Sequence, residues 1–406
     1  MSDKPTKFTR RDFVRVAAMT IGGAFLSACQ RTRVPNPSSA AASAQSAPPT
    51  PAPQKTVSAI PITANQDFFS VSIGDTPGVP ANWKLTIAGL VDQPLTLTLD
   101  EIKALPAVSE MRSLMCISNP VGGDLTGNAM WQGVRFKDLL AQAGVKPNAR
   151  VLKLESFDGF STGIPLELGM DHASLLVYEM NGEPLPREHG APLRCLFPGR
   201  YGMKQPKWIQ TITAVESEYA GFWEKQGWSD DARIKPFSRI DAPKDSATMT
   251  GATFTLSGIA FGDESGVFEL DIGWDDTKQW SPAELTRGPS PYTWAVWHWT
   301  GNALPPGRHT LYARATDNRG NRQTRGQAVN LLAGPFPDGT EEMQTLVLDF
   351  KPLGRSMERP HNECHSHACH LPAGLIIHCW YSARKLHAHA SSAVFRRSSG
   401  NATLYR

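Results

Sequence analysis

Short runs of alternating or continuously apolar residues recur between positions 60 and 243, and long loops rich in Gly and Pro separate them. Alternation with a period of two is typical of half-buried strands, whereas short continuous apolar runs suit fully buried ones. We therefore predict strands at 83–87, 151–154, 175–178, 193–197 and 208–215. The long loops between them favour a functional site built from loops.

Two short helices are predicted among these strands. Thr98 and Glu101 form a capping box at the start of the first helix, and Pro106 ends it. The second helix spans 136–143 and is closed by Gly144. Helices and strands mixed in this way predict an α+β domain with mixed sheets over residues 60–243.

The pattern from 244 to 349 is all-β. Alternating runs at 253–259, 268–272, 293–299 and 310–315 are separated by turn signals. Short strands at this spacing predict an immunoglobulin-like β-sandwich. Three tryptophans of this segment are expected to fill its core or a subunit contact, with a sugar-binding aromatic strip as the alternative: Trp294, Trp297 and Trp299.

The first 59 residues are expected to lie outside both domains. Arg10 and Arg11 precede an apolar run at 16–26, which resembles a twin-arginine export signal. A basic cap on a short membrane anchor is the alternative, but the run falls short of the ~20 residues of a spanning helix. Residues 26–29 resemble a lipoprotein cleavage box, so we expect a lipid on Cys29; ordinary signal cleavage is the alternative. Residues 30–59 form a Pro/Ala/Ser-rich tether.

Composition narrows the class of function. The net charge is +3 over 406 residues, without a basic stripe carrying interleaved aromatics, which argues against a nucleic-acid partner. The six cysteines are too few and too unevenly spaced for a disulfide framework. The twin-arginine route carries folded proteins, so the signal also suggests a cofactor inserted before export.

Cys116 is the first candidate for chemistry. It ends an apolar stretch, and the turn-prone run 119–123 follows it, which places the thiol at a strand-to-loop junction. A thiolate is a soft ligand suited to a high-valent transition metal with sulfur neighbours. Considered alone, however, a single cysteine is more often a small buried hydrophobic residue.

Two runs further along the chain favour a metal-ligand role for Cys116. Residues 178–194 end in His189-Gly190-Ala191-Pro192-Leu193-Arg194, and residues 198–209 bring several basic and amide side chains. Fixed cations and glycine-rich turns suit a buried phosphate. Together with 111–140, these runs resemble the molybdenum domain of the sulfite oxidase family, and 244–349 resembles its C-terminal dimerisation domain. The resemblance covers roughly residues 62–345.

The resemblance implies a molybdenum cofactor with molybdopterin. Cys116 would supply one sulfur to the metal, and a pyranopterin dithiolene would supply two more. The positions that match the family's cofactor contacts are Phe69, Ser70, Asn119, Ser156, His189, Arg194, Lys204, Gln205 and Lys207. For His189 and Arg194, the alternative is a surface loop salt-bridged to Glu188.

Several positions at which the family places substrate-binding residues differ in this sequence. Pro120 and Val121 stand where sulfite oxidases have arginines, and the run 68–72 lacks another. Trp228 is closest to the position of the family's active-site tyrosine, so it is a catalytic candidate. A desolvated dianion needs cationic partners. Sulfite is therefore doubtful as substrate unless other cations compensate, and the candidates are Arg200, Lys204 and Arg233.

These features predict an exported, lipid-anchored molybdenum oxidoreductase of the periplasm or cell surface. It would move an oxygen atom and two electrons on a small substrate, with sulfur compounds as candidates and the direction open. A separate electron carrier, such as a cytochrome c or a membrane redox subunit, and a homodimer through the immunoglobulin-like domain are implied. The alternative is a lipid-anchored binding or adhesion protein that keeps the fold without metal.

The tail, 350–406, is dense in His and Cys. A zinc or copper site is chemically feasible there. A covalent haem is a weaker idea, because four residues separate Cys364 from Cys369. We favour a disordered or non-native end.

Overall fold

The computed structural model describes residues 60–276, 278–325 and 334–352. The predicted export signal, the tether, Cys29 and the His/Cys-rich tail from 353 onward lie outside the described residues. Within those ranges, every helix is too short or too polar to cross a membrane.

Two sheets form in the first part of the chain. Their strands are β1 (Leu85–Gly89), β2 (Leu95–Leu97), β3 (Ala107–Met115), β4 (Thr126–Arg135), β5 (Val151–Ser156), β6 (Ser161–Pro165), β7 (Leu175–Met180), β8 (Glu183–Pro184), β9 (Arg194–Leu196) and β10 (Ile209–Val215). One sheet has the order β2-β1-β10-β5-β6, with β1 parallel to β10. The other is antiparallel, with the order β3-β4-β7-β8 and β9 paired to β7. All five predicted strands are confirmed, within two residues at each end.

Three short helices pack beside these sheets: α1 (Leu99–Lys103), α2 (Phe136–Ala143) and α3 (Leu166–Met170). The capping box of α1 is confirmed, since Thr98 and Glu101 bond reciprocally. The α2 helix ends where predicted, at Gly144 with φ +66°. Its apolar side joins the core between the sheets, so the mixed α+β character of this part is confirmed.

The second part of the chain is two further sheets. Their strands are β11 (Phe237–Ala242), β12 (Thr248–Met249), β13 (Thr253–Phe261), β14 (Val267–Trp274), β15 (Ser281–Pro282), β16 (Glu284–Thr286), β17 (Ala295–Asn302), β18 (Gly307–Asp317) and β19 (Thr345–Phe350). The orders are β11-β13-β17-β16 and β12-β19-β18-β14-β15. Trp297 and Trp299 are buried in the core that these sheets share, and Trp294 is buried beside Met115 and Ile117. The tryptophans therefore fill the interior, and the exposed sugar-binding strip is wrong.

Strand β3 is tied directly to the second part. Ser113 N donates to Tyr292 O at 2.9 Å, and Trp294 N donates to Ser113 Oγ at 2.9 Å. Thr293 Oγ1 donates to Met111 O at 3.0 Å. These bonds fix the end of β3, and therefore the position of Cys116 immediately after it.

Candidate functional site

The loop between β3 and β4 presents Cys116. Cys116 N donates to Leu125 O at 2.9 Å, and Asn119 N donates to Cys116 O at 3.1 Å. The buried Asn119 side chain closes the loop, because its Oδ1 accepts from Leu125 N at 2.9 Å. The predicted strand-to-loop junction at Cys116 is thus confirmed.

The thiol of Cys116 is buried and lines a pocket. Its Sγ lies 3.1 Å from Ser118 Oγ. Burial raises the pKa of this thiol, so binding a metal as thiolate would release a proton. In the described part of the chain, His, Cys, Asp and Glu side chains nowhere gather in threes as a metal site. A metal at Cys116 would therefore need ligands that the protein does not supply.

The pocket encloses about 740 Å³ of empty space, including its open mouth. It brings together seven residues predicted from the sequence: Phe69, Ser70, Cys116, Arg194, Gln205, Lys207 and Trp228. Asn119, Ser156 and His189 are outside the pocket lining but are bonded to residues that form it. Asn119 N donates to Cys116 O, Ser156 N donates to Phe160 O, and His189 O accepts from Arg194 Nη1.

Two cations line the pocket, Arg194 and Lys207. Arg194 Nη1 donates to His189 O at 3.2 Å, and burial lowers its pKa to about 10. Lys207 Nζ donates to Glu188 O at 3.0 Å and Ser70 Oγ at 3.1 Å. Burial, then repulsion by Arg194, lowers the pKa of Lys207 to about 7. Neither forms an ion pair with a carboxylate of the described residues, so both are suited to an external anion.

Buried polar atoms without partners concentrate at the predicted cofactor residues. Nine such side-chain atoms occur in the described residues. Five of them belong to this set: Asn119 Nδ2, Ser156 Oγ, His189 Nδ1, Arg194 Nε and Gln205 Oε1. Because buried polar groups are nearly always hydrogen-bonded in native proteins, these five indicate a polar ligand. They include donors and acceptors, as a pterin ring with a phosphate arm requires.

The hydrogen bond of His189 determines that its unpartnered Nδ1 is an acceptor. Its Nε2 lies 2.8 Å from Asn65 O. A carbonyl oxygen can only accept, so Nε2 carries the proton and Nδ1 is left as an acceptor. Burial lowers the pKa of His189, which keeps the ring neutral. His189 Nε2 lies 3.8 Å from Glu188 Oε1, but the ring is fully buried and neutral, so the alternative of a salt-bridged surface loop is wrong.

The backbone geometry at Gly190, directly after His189, requires a glycine. Its φ is +121°, and a Cβ here would lie 3.1 Å from Arg194 Cβ and 3.1 Å from Lys207 Cα. Trp208 N also donates to Gly190 O at 3.1 Å. The missing side chain therefore lets the His189 turn approach both cations closely.

Lys204 is a correction to the sequence-based site, because its side chain does not line the pocket. Its Nζ donates to Glu224 Oε1 at 2.6 Å, Asp230 Oδ1 at 3.1 Å and Gly163 O at 2.9 Å. These acceptors already saturate the ammonium group, while Met203 and Gln205 on either side reach the pocket. The basic run alone could not reveal which residues face inward.

Arg200 and Arg233 also lie outside the pocket lining. Arg200 Nη2 lies 3.2 Å from Asp231 Oδ1, and Arg233 pairs with Glu264. The expectation that Arg200, Lys204 or Arg233 replaces the missing family arginines is therefore wrong. All three positive charges are compensated by carboxylates elsewhere.

Much of the remaining wall is apolar and was missed in the sequence. Trp223 and Trp228 line it together with Ile117, Phe160 and Met203. Trp228 also packs edge-on against Phe336, with ring centroids 5.2 Å apart. Only Trp228 had a sequence signal, because the others are scattered over separate loops.

Asp158 is a further residue that sequence reasoning missed. It lines the pocket, and its Oδ1 accepts from Phe160 N at 3.0 Å. Burial raises the pKa of its carboxyl group. The turn sequence around Asp158 and Gly159 predicts only a bend, so it offered no chemical signal.

Comparison with known proteins gives concordant matches. The model of the oxidoreductase molybdopterin binding domain matches residues 73–223. The uncharacterized oxidoreductase YuiH of Bacillus subtilis is 37% identical over 163 residues, which are 40% of this chain and 80% of YuiH. The mitochondrial sulfite oxidase of Drosophila melanogaster is 31% identical over 287 residues, covering 58% of this chain and 50% of that protein. This chain thus spans about half the length of that relative.

A solved structure gives the same fold. The sulfane dehydrogenase SoxCD from Paracoccus pantotrophus matches with a TM-score of 0.57 at 22% sequence identity. The match covers 67% of this chain and 78% of that one. At this identity the likeness concerns the fold alone.

Proposed function

Since the chain belongs to the sulfite oxidase family of molybdopterin oxidoreductases, we propose that it is an exported molybdenum enzyme acting on a small neutral substrate. The reaction is a two-electron oxygen-atom transfer, and sulfur compounds are the first candidates. The observation that carries this proposal is the set of five unpartnered buried atoms around the Cys116 pocket. A metal-free adhesion protein would have no use for them.

Different residues of the pocket would bind the metal, the phosphate and the pterin of the cofactor. When bound, molybdenum with molybdopterin supplies the oxygen-atom transfer chemistry. Cys116 would hold the metal as a thiolate, and Arg194 and Lys207 would hold the phosphate. Gln205 lines the pocket, and Asn119, Ser156 and His189 adjoin its lining; each has an unpartnered buried polar atom that would be available to the polar edges of the pterin. Ser70 fixes Lys207 by accepting from its ammonium, and Phe69 supports the same loop.

The part of the pocket lining that is not assigned to the cofactor favours a neutral substrate. Arg194 and Lys207 are the lining cations, and both are assigned to the cofactor. The rest of the wall carries Trp223, Trp228 and Met203, which offer no compensation to a desolvated dianion. A neutral sulfoxide, thioether or N-oxide suits this surface better than sulfite. Asp158 can hold a proton within the pocket.

The cellular setting is also part of the proposal. The Arg10-Arg11 signal and Cys29 support export and a lipid anchor. A separate carrier, a cytochrome c or a membrane redox subunit, would exchange electrons with the enzyme. We propose that strands β11 to β19 form an immunoglobulin-like dimerisation domain.

The test is a substrate panel on protein made in a molybdopterin-competent host, after elemental analysis has given about one molybdenum per chain. Reduction of neutral sulfoxides and N-oxides and oxidation of thioethers and sulfite would be compared by kcat/KM. We expect a neutral compound to exceed sulfite by at least about tenfold. Sulfite as the best substrate would overturn the neutral assignment, and wild-type protein without molybdenum would overturn the enzyme itself.

A further inference from the structure

Lys204 is buried beside the pocket without lining it. It lies on the 3-10 turn Gly202–Lys204, while Met203 and Gln205 reach the pocket. Its side chain and that of its partner Glu224 are only 2% and 3% exposed. A buried pair of this kind is costly to break, because the remaining charge is left without compensation.

The two carboxylates that Lys204 binds bracket an aromatic segment, residues 223–230. Glu224 follows Trp223, and Asp230 lies two residues after Trp228. Thr162 Oγ1 also donates to Glu224 Oε1, at 2.5 Å. One ammonium group therefore ties both ends of the segment to the molybdopterin-binding part of the chain.

Both tryptophans of this segment line the pocket that contains Cys116. They also pack against the cluster formed by Met115, Ile117 and Met203. The turn Glu224–Gln226 is short, and its buried side chain is that of Glu224, in the pair with Lys204, while Lys225 and Gln226 are exposed. Its position therefore depends strongly on the bonds to Lys204 and Thr162.

We propose that Lys204 is a positioning residue: it fixes residues 223–230 so that Trp223 and Trp228 cover Cys116 and form the substrate wall. This rests on the proposed function, since it concerns the same pocket. Lys204 acts through the segment and does not bind the cofactor. Without this tie, the segment opens more often and the thiol becomes accessible.

The test measures alkylation of Cys116 in full-length protein from a host that makes no molybdopterin. Iodoacetamide modification would be followed by mass spectrometry of the peptides with Cys116 and with the fully buried Cys195 as internal reference. Lys204→Met and Glu224→Gln are each expected to accelerate Cys116 modification by about tenfold. Lys225→Met, an exposed lysine of the same segment, should leave the rate unchanged. Unchanged rates in both Lys204→Met and Glu224→Gln would overturn the proposal.

The double variant Lys204→Met/Glu224→Gln separates the lost tie from damage by an unpaired carboxylate. We expect the modification of Cys116 to remain fast in the double variant, because the bond between residues 204 and 224 is absent. A return to the slow wild-type rate of modification would overturn the proposal. In holoenzyme, Lys204→Met should keep its molybdenum and raise KM more than it lowers kcat. Molybdenum lost from Lys204→Met but not from Glu224→Gln would instead assign Lys204 to the cofactor. Because thiol accessibility is measured without cofactor, this result is independent of whether the wild type binds molybdenum.

Discussion

Lys207 is a partly buried cation whose hydrogen-bond acceptors are a carbonyl and a hydroxyl oxygen. Neither acceptor carries a formal charge, and Arg194 adds repulsion, so its pKa falls to about 7. An anion in the pocket would reverse both effects. At the scale of single residues, Lys207 is therefore a cation whose charge an anionic ligand would stabilise.

The lowered pKa of Lys207 makes the stability of the cofactor-free protein depend on pH. The folded pKa of Lys207 lies below the ordinary lysine value, so the unfolded chain binds its proton more strongly between about pH 7 and 10. The contribution of Lys207 to the free energy of unfolding therefore rises with pH in this window. We expect cofactor-free wild type to gain about 1–2 kcal/mol relative to Lys207→Met between pH 7 and 9. Urea unfolding at both pH values measures it.

The control for that measurement is Lys225→Met, which removes the same charge from an exposed side chain. A flat difference between wild type and Lys207→Met would show that Lys207 keeps its charge without a ligand. Cofactor-loaded protein should lose the pH dependence, because a bound phosphate restores the charge of Lys207.

At the scale of elements, the loop between β3 and β4 is built around Asn119. Its side chain closes the turn after Cys116, and Gly123 packs directly against it. A Cβ on Gly123 would lie 2.5 Å from Asn119 Oδ1 and 2.7 Å from Pro120 Cδ. The loop that aims Cys116 therefore has no room for a larger residue at position 123.

Gly123→Ala should destabilise the fold by about 1–3 kcal/mol, because the new methyl group forces Asn119 from its bond to Leu125. Molybdenum content should fall with it. The matched control is Gly78→Ala, where nothing lies within 4 Å of the added Cβ. Thermal unfolding and elemental analysis of the two variants measure the effect. Equal behaviour of both variants would refute the account of this loop.

Local patterns predicted these elements well, and long-range geometry limited the rest. Thr98, Gly144 and the strand runs carry local signals, so their elements appear where the sequence placed them. Cys116, His189 and Arg194 were found because their motifs are contiguous. Which side chains of the basic run 198–209 face the pocket depends on the acceptors that lie near each of them in space. For this reason Lys204 was assigned to the cofactor, and Asp158 and Trp223 were missed.

At the scale of the whole molecule, residues 1–29 precede the described domains and carry the proposed export signal. Export in a folded state would require the cofactor site to be complete first. The paired arginines at 10 and 11 and the cysteine at 29 make separate contributions to this proposal. They can therefore be tested separately.

Replacing both Arg10 and Arg11 by Lys should retain molybdenum-loaded protein in the cytoplasm, because the export receptor reads the arginine pair. Cys29→Ser should still be exported but should leave the membrane fraction, since no lipid can be attached. Fractionation with immunoblotting measures both. Export of the double lysine variant at the wild-type level, or membrane retention of Cys29→Ser, would contradict the respective assignment.

We propose that Cys116 binds the metal of a molybdopterin cofactor. X-ray absorption at the molybdenum edge counts the sulfur atoms bound to the metal. We expect three sulfur ligands in the wild type and in Cys195→Ser, but two in Cys116→Ser, because the remaining two would belong to the dithiolene. The same number of sulfur ligands in wild type and Cys116→Ser would contradict it.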